Sequence, residues 1–315
     1  MYLFSSIFGV FVFDEKFNVV EEALFSSLEE YRNKSDIIEN LKDKHKITQE
    51  LNENALKTIL LYFKNNKFFS EFYDKNLQLT KSDLKNSVGD DTLLIRATNS
   101  VEELDKSINF LSKRLREWYE LYNPEFSISV QSHEKFVEEI LEKEKEELLK
   151  ELMINVADSI GADLSQEDLE PIRNLAHQIY DLYQLRKGTL DYMSVLMEAL
   201  CPNIKAVCGT IVGAKLIEHA GSLRRLSEMP ASTIQILGAE QALFRHMKTG
   251  AKPPRHGVIV HHQLIAKAPD RLHGKIARAL ADKISIASKV DYFQGKFIGD
   301  KLRQKLEEKF DMLTK

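Results

Sequence analysis

A long run of regularly spaced apolar residues constrains the fold of this chain more than any other feature. Between residues 169 and 200 these residues recur at spacings of three and four, interrupted only by Arg186. The positions are Leu169, Ile172, Ala176, Ile179, Tyr183, Arg186, Leu190, Met193, Met197 and Leu200. Such a heptad pattern places a nearly continuous apolar stripe along one face of a long helix. Such a stripe needs a helical partner that covers it.

Residues 132–160 offer a matching stripe upstream. Its apolar positions are Phe136, Ile140, Leu148, Leu152 and Val156, and the following loop contains Gly161, which can reverse the chain. We therefore predict an antiparallel coiled-coil hairpin over residues 121–204. Heptads alone do not separate a hairpin closed on itself from one that also pairs with a second chain. Six residues are candidates for both contacts: Ile172, Ile179, Tyr183, Leu190, Met193 and Met197.

Residues 1–120 predict a small α/β domain. Apolar, β-prone runs at residues 2–13 and 17–20 flank a turn-like Asp-Glu-Lys sequence, and helical patterns rich in Glu and Lys follow. Ser100 and Glu103 have the spacing of a capping box, which predicts that a helix begins there. Together with an all-α C-terminal part, the predicted fold is mainly α with a small N-terminal α/β domain.

The charge distribution divides the chain. Residues 1–204 hold 24 Lys and Arg against 38 Asp and Glu, whereas residues 205–315 hold 20 against 10. A basic segment of this size predicts contact with a polyanion, although an ordinary solvated surface is the alternative. No run approaches the roughly 18 apolar residues that span a bilayer, and the apolar N-terminus lacks the features of a signal peptide. We expect an intracellular protein without membrane contact.

The most basic stretch, residues 238–262, carries four Lys or Arg and four His residues against one acid, Glu240. Helical spacing places Gln241, Arg245 and Lys248 on one face, with Leu243, Phe244 and Met247 expected mostly elsewhere. Two prolines and two glycines then stiffen a loop that presents Lys252 and Arg255. A later helix repeats this scheme, with Arg271, Lys275 and Arg278 opposite an apolar face.

Three functions compete for this stretch. A metal site would need ligands whose charge offsets the cation, and here cations surround a single acid, so no metal or cofactor is expected. Cys201 and Cys208 also lack the further partners of a zinc site. A metal-dependent hydrolase built on His256, His261 and His262 remains an alternative. The residue types favour a surface that binds an anionic partner, with Arg and Lys contacting phosphates.

Three runs carry a family resemblance: residues 213–223, 229–259 and 273–291 resemble the Nop domain. This domain is the signature of nucleolar-protein scaffolds in box C/D ribonucleoproteins. The segment RLREWYELYNPEF, residues 114–126, is similar to that family's sequence before its coiled coil. The chain lacks the lysine-rich tail of the longer eukaryotic members, so the resemblance is to the archaeal type.

The resemblance implies a non-catalytic scaffold with three parts. Residues 1–120 would bind the methyltransferase fibrillarin, residues 121–204 would self-associate through the coiled coil, and residues 205–315 would form the Nop domain. That domain would hold a kink-turn guide RNA already bound by a ribosomal-type protein, and the particle would direct 2′-O-methylation of RNA. A splicing-factor branch of the same superfamily, which binds kink-turn RNA without a methyltransferase, is the alternative.

The same resemblance assigns RNA contacts residue by residue. The candidates are Gln241, Arg245, Lys248, Lys252, Arg255, His256, Arg224, Lys275 and Arg278. Two positions depart from the family pattern, because Gln241 stands where lysine is common and Glu228 where a basic residue is frequent. Both departures reduce the positive charge, so RNA affinity is expected to depend more on the protein partner.

Overall fold

The computed structural model describes residues 1–47, 51–64 and 66–314. Packing divides the chain into unit 1, residues 1–89, and unit 2, residues 90–315. Each unit encloses its own apolar cores. The described residues are mainly helical and include a small antiparallel sheet near the N-terminus, which confirms the predicted fold class.

Unit 1 begins with three antiparallel strands. They are β1 (Tyr2–Ser5), β2 (Gly9–Phe13) and β3 (Val19–Leu24), adjacent in that order. Strand β2 is buried throughout. Its alternate side chains point to opposite faces of the sheet, and each face packs against a core. Phe11 and Phe13 enter one core, and Val10 and Val12 enter the other. The sheet is therefore covered on both faces.

Helices provide those covers. The described helices of unit 1 are α1 (Leu28–Arg32), α2 (Ser35–His45), α3 (Glu53–Phe63) and α4 (Asn66–Asn86). Ile59 and Phe63 of α3 pack in the core that holds Phe11, whereas Leu41 of α2 packs in the opposite one. This arrangement is the α/β domain expected from the sequence, although it ends well before residue 120.

Unit 2 is helical. Its helices are α5 (Asp90–Tyr119), α6 (Pro124–Ser129), α7 (His133–Glu142), α8 (Lys145–Glu151), α9 (Gln166–Leu200), α10 (Pro202–Ala220), α11 (Leu223–Glu228), α12 (Ala231–Ile236), α13 (Glu240–Thr249), α14 (Gln263–Ala266), α15 (Asp270–Tyr292) and α16 (Gly299–Thr314), with 3-10 turns at Val156–Asp158 and Val258–His261. No described helix is both long and apolar enough to cross a membrane.

Helix α9 is the long helix that the apolar stripe predicts. Ser165 caps it by accepting a hydrogen bond from the backbone N–H of Asp168, 3.2 Å away. Most stripe residues are buried inside this one chain: Leu169, Ile172, Ala176, Ile179, Met193 and Met197. Tyr183 and Leu190 are half-buried and pack at the edges of two cores. The stripe is thus already covered within one chain.

The predicted partner of α9 is confirmed in part, because Phe136, Ile140, Leu148 and Leu152 pack in one core with the first half of the α9 stripe. Residues 132–160 form the separate helices α7 and α8 followed by a 3-10 turn, and Leu152 lies outside both helices. The long partner is α5, which runs antiparallel to α9. Leu94 of α5 shares a core with Met197, Leu115 shares one with Ile172, and Asp105 pairs with Arg186 between them.

The start of this partner helix was also misplaced. Helix α5 begins at Asp90, with Asp90 and Asp91 in its first turn, where acidic side chains interact favourably with the helix dipole. Ser100 and Glu103 therefore lie inside the helix and do not form its predicted capping box. A capping box is a local pattern that also occurs by chance within helices.

The expected boundaries at residues 120 and 204 do not coincide with the division by packing, which falls at residue 89. Helix α5 belongs to unit 2. One core joins Leu94 and Met197 to Leu306, across residue 204. The three functional segments therefore remain a prediction about roles, because the last two share a core.

Candidate nucleic-acid interface

Residues 238–257, here called the basic protrusion, leave the helical core and return to it at a narrow neck. The backbone N–H of Gly257 donates to the carbonyl of Gln235, and that of Val258 donates to the carbonyl of Leu237, both at 2.8 Å. The Gln235 amide also donates to the Arg255 carbonyl at 2.7 Å. These bonds fix both ends of the excursion.

Glycine makes the neck possible. A Cβ atom at Gly257 would lie 1.9 Å from the Leu237 carbonyl oxygen, so only glycine lets the two backbone segments approach. Gly238 has a φ of 85°, in the left-handed region that favours glycine, and its N–H donates to Glu240 Oε1 at 2.7 Å. The only acid of the protrusion therefore holds the neck and does not neutralise Arg245.

Helix α13 forms the outer part of the protrusion and has no buried residue. Its polar stripe is as predicted, since Gln241, Arg245 and Lys248 are all exposed. The prediction was wrong for Phe244, which is 58% exposed and lies at helical spacing between Gln241 and Lys248. Met247 is 72% exposed. The outer surface of α13 is thus both basic and apolar.

The loop after α13 is held by short-range contacts. Gly250 ends the helix in a left-handed conformation with φ of 68°, and the His246 ring bonds the Ala251 carbonyl. Lys252 projects from the following proline-rich segment and is exposed. Within the part of the chain that the structure describes, Arg245, Lys248 and Lys252 form no ion pair. These three cations are available to an external anion.

The end of the loop meets the first turn of α15. Arg255 donates to the Asp270 carboxylate at 2.8 Å and to its carbonyl at 3.2 Å. The His256 ring lies 5.8 Å from that of His273, and burial, followed by the charge of His273, lowers the pKa of His256. Arg255 and His256 are therefore partly engaged within the chain, unlike the three free cations.

Helix α15 continues the positive surface away from this contact. Arg271, Lys275 and Arg278 are exposed, while Ile276 and Leu280 on the other side are buried. The helix thus has the predicted amphipathic arrangement.

Arg224 belongs to a different place. It pairs with Glu228 at 3.1 Å, and Glu228 and then the Tyr292 phenol raise the pKa of Arg224. Tyr292 is the last residue of α15 and Asp270 the first, so this end lies roughly 33 Å along the helix from Arg255, at 1.5 Å per residue. The candidate residues therefore form two groups, and Glu228 neutralises the outlying one.

The histidines do not converge. The His262 ring accepts from the Leu264 N–H at 3.3 Å and bonds the Val207 carbonyl, and burial lowers its pKa. The Val207 carbonyl lies beside Gly209, whose non-helical backbone interrupts α10. His261 is exposed. Across residues 1–47, 51–64 and 66–314, no three His, Cys, Asp or Glu side chains are grouped to hold a metal.

Comparison with known proteins identifies one family. The matching family model is described as Nop, snoRNA binding domain, fibrillarin, and it covers residues 100–312, which contain the basic protrusion and most of unit 2.

Individual relatives agree with this match. An uncharacterized NOP5 family protein of Methanocaldococcus jannaschii is 39% identical over 270 residues, which are 81% of this chain and 65% of that protein. Nucleolar protein 56 of Schizosaccharomyces pombe is 38% identical over 243 residues, 70% of this chain and 49% of the relative. Nucleolar protein 58 of Aspergillus fumigatus is 40% identical over 219 residues, which are 64% of this chain and 36% of that protein. The chain thus spans about a third to two thirds of these relatives.

A solved structure, the crystal structure of a fibrillarin/Nop5p complex, also aligns with the chain. It covers 99% of this chain and 100% of the aligned one, with 23% identity and a TM-score of 0.47.

Proposed function

Since this chain belongs to the Nop family, we propose that it is the non-catalytic scaffold of a box C/D ribonucleoprotein. In this role it holds a kink-turn guide RNA through unit 2 and recruits the methyltransferase fibrillarin, which methylates the 2′ hydroxyl of target RNA. The chain would work where ribosomal RNA is processed, in the cytoplasm of an archaeal cell or in the nucleolus of a eukaryotic one.

The basic protrusion is the observation that carries this proposal. Arg245, Lys248 and Lys252 project from a rigid neck without ion-pair partners in the described structure, and no residue of α13 is fully buried. Free cations on a preorganised segment bind phosphates and lose little conformational entropy. Arg255 and His256 lie at the base of this segment, with Lys275 and Arg278 farther along α15, and would add contacts to the same RNA.

The ribosomal-type protein bound to the kink-turn provides a role for the apolar residues of α13. Phe244 and Met247 are exposed beside the cations, and such residues gain free energy when a protein surface covers them. We therefore assign Phe244 and Met247 to the protein and Arg245 and Lys248 to the RNA. Gln241, which lacks the charge of lysine, can donate a hydrogen bond to either.

Fibrillarin is assigned to unit 1. Unit 1 is nearly neutral, with 12 Lys and Arg against 14 Asp and Glu in residues 1–89, and α3 exposes Leu60 by 51% and Leu61 by 66% between Lys57 and Lys64. Paired exposed leucines on one helix favour a protein partner over a nucleic acid. This surface is our candidate for the fibrillarin contact.

Self-association is assigned to the outer surface of α9. The residues of its stripe are largely buried within the chain, but Leu185 is 57% exposed, Tyr192 45% and Val195 68%. A second copy that covered these side chains would bury apolar area that a single chain leaves in water. The contact would thus use the opposite side of the coiled-coil helix from the predicted stripe.

Reconstitution tests the function as a whole. The full chain, fibrillarin, the kink-turn protein and a box C/D RNA are mixed with a target RNA, and methyl transfer is measured with each component omitted in turn. Loss of transfer whenever this chain is omitted, and no transfer by this chain without fibrillarin, is the expected result. Transfer that does not require the chain contradicts the proposal, and RNA binding without fibrillarin retention would instead favour the splicing-factor alternative.

A further inference from the structure

The turn between α15 and α16 exposes aromatic side chains that the fold does not use. In residues 292–297, here called the aromatic turn, every residue is exposed. Tyr292 is 37% exposed, Phe293 76% and Phe297 53%. The Tyr292 and Phe293 rings meet edge to face, with centroids 5.0 Å apart. Three aromatic rings in six exposed residues are far from the usual placement of phenylalanine inside a protein.

Hydrogen bonds from Asn203 of α10 hold the aromatic turn in place. The Asn203 amide donates at 2.6 Å to the carboxylate of Asp291, the residue before the turn. Its side-chain oxygen accepts at 2.7 Å from the N–H of Ile298, the residue after the turn. Asn203 and Asp291 are both buried. One side chain therefore fixes both ends of the turn against α10.

The backbone of the turn also fixes its shape. Gln294 adopts a left-handed φ of 52°, and the Gly295 N–H donates to the Val290 carbonyl at 2.8 Å. The Phe297 ring lies so close to Gly299 that a Cβ there would be 2.9 Å from it. The rings are thus presented on a preorganised support.

Lysines precede and interrupt the aromatic turn in the sequence. Lys289 and Lys296 are exposed and form no ion pair among the residues that the structure describes. Arg224 lies near Tyr292, although Glu228 neutralises it. Asp300 is exposed in the first turn of α16, and Asp291 points inward to Asn203. Between residues 289 and 300, two lysines without ion pairs thus outnumber the one exposed carboxylate, Asp300.

We propose that the aromatic turn is a stacking site for unpaired nucleotides of RNA. Exposed rings stack on bases of any sequence, and neighbouring lysines contact the backbone phosphates. A protein partner would also cover the rings, but the free lysines and the rigid presentation of ring faces favour a nucleic acid. Phe293 and Phe297 provide the stacking surfaces, and Lys296 lies between them in sequence.

This site is distinct from the basic protrusion. The base of the protrusion contacts the first residue of α15 and the aromatic turn begins at its last, and these two residues are roughly 33 Å apart along a helix that rises 1.5 Å per residue. That the RNA is the guide RNA rests on the proposed function, whereas the stacking itself does not. A single RNA could therefore be held by its kink-turn at one end of α15 and by unpaired nucleotides at the other.

The test uses the full chain and a fluorescein-labelled oligouridylate of about twelve nucleotides, within the usual site size for single strands. Phe293→Ala and Phe297→Ala should each weaken its binding about tenfold, the effect of removing one stacked base. Phe72→Ala, which removes a ring that is 50% exposed in unit 1, is the matched control and should bind like the parent.

A second measurement separates stacking from simple apolar contact. Trp118 is the only tryptophan, so Phe293→Trp in a Trp118→Phe background places the single indole on the aromatic turn. Retained affinity and quenching of its fluorescence by the oligonucleotide are expected, and Phe293→Leu should bind like Phe293→Ala. Parent-like binding by both alanine variants, or by the leucine variant, overturns the proposal. These results do not depend on Arg245 or on methyl transfer, so either proposal can fail alone.

Discussion

Helices α9 and α13 both combine apolar and charged residues at helical spacing, yet they use their apolar residues differently. In α9 the stripe is covered by α5 and by neighbouring helices, and Ile172, Ile179 and Met197 are at most 1% exposed. In α13 no residue is buried, and Phe244 and Met247 remain in contact with water. The first helix therefore contributes to folding, whereas the second leaves its apolar side chains to a partner.

This difference shows which mutations should affect stability and which should affect binding. Burial of apolar area in α9 stabilises unit 2, at about 25 cal/mol for each Å² removed from water. The side chains of α13 contribute little of this kind, and the neck bonds maintain its position. Substitutions in the buried stripe of α9 should thus change the free energy of unfolding, and substitutions of the exposed residues of α13 should change affinity alone.

The largest effect is expected at Ile179. Ile179→Asp places an unpaired charge in a fully buried site, which should lower the free energy of unfolding by about 3 kcal/mol or more. Met312→Asp on α16, at a side chain that is 77% exposed, is the control and should change stability by less than about 0.5 kcal/mol. Urea titration followed by circular dichroism compares them. Equal midpoints would show that the stripe is not buried as described.

The neck of the protrusion should give the next largest effect. Gly257→Ala brings a Cβ against the Leu237 carbonyl, and the forced movement should cost about 2 kcal/mol. Gly274→Ala in α15, where the new methyl group meets nothing within 4 Å, should instead stabilise by about 0.5 to 1 kcal/mol. Thermal melting measures both. A neutral Gly257→Ala would mean that the neck is not closely packed.

A smaller effect, confined to binding, is expected on α13. Phe244→Ala and Met247→Ala should leave the melting temperature unchanged, because neither side chain is buried. Each should weaken binding to the RNA carrying the kink-turn protein about tenfold, and weaken binding to the bare RNA much less. Isothermal titration with both forms of RNA makes the comparison. Equal losses with both forms would assign these residues to the RNA and not to the protein.

The smallest effect is expected when the pH is lowered, and it is an effect on stability. Burial lowers the pKa of His262 and of His256 below the ordinary value of 6.5. Below pH 6.5 the unfolded chain therefore binds more protons than the folded chain, so stability should fall as the pH drops further. Melting curves between pH 7.5 and pH 5 should show this fall, and His262→Asn should show less of it. Carboxylates titrate alike in the parent and in His262→Asn, so the difference between their two curves isolates the histidine. A parent melting temperature that rises toward pH 5 relative to that of the variant would contradict the assignment.

The sequence predicted those elements whose signal lies within one segment. The spacing of three and four identified α9, apolar β-prone runs around a turn-like sequence identified the sheet, and the amphipathic pattern identified both faces of α15. The partner of α9 was identified only in part, because apolar stripes of similar length do not reveal that a further helix, α5, packs on the same face. Ser100 and Glu103 gave a false helix start because a capping pattern does not report whether the chain is already helical.

The site was predictable only in part. The cations of residues 238–262 were visible as charge, but the neck depends on Gly257 meeting Leu237, a contact that no local pattern encodes. The exposure of Phe244, at 58%, also depends on tertiary packing, which local sequence does not report. The aromatic turn was missed, although the six letters YFQGKF at residues 292–297 combine a glycine with three aromatic residues at the end of a helix. That combination was the available signal.

The central claim is that the cations of the basic protrusion contact RNA phosphates and do not hold the fold together. A salt titration of RNA binding, with the kink-turn protein present, tests it for Arg245→Ala and Lys248→Ala, with melting curves for each variant. Arg303→Ala is the control, since Arg303 pairs with Glu307 on α16. Loss of one phosphate contact should flatten the slope of log affinity against log salt by roughly 0.7 to 0.9. That flattening with unchanged melting is the predicted result, and unchanged slopes with lowered melting temperatures would contradict the account.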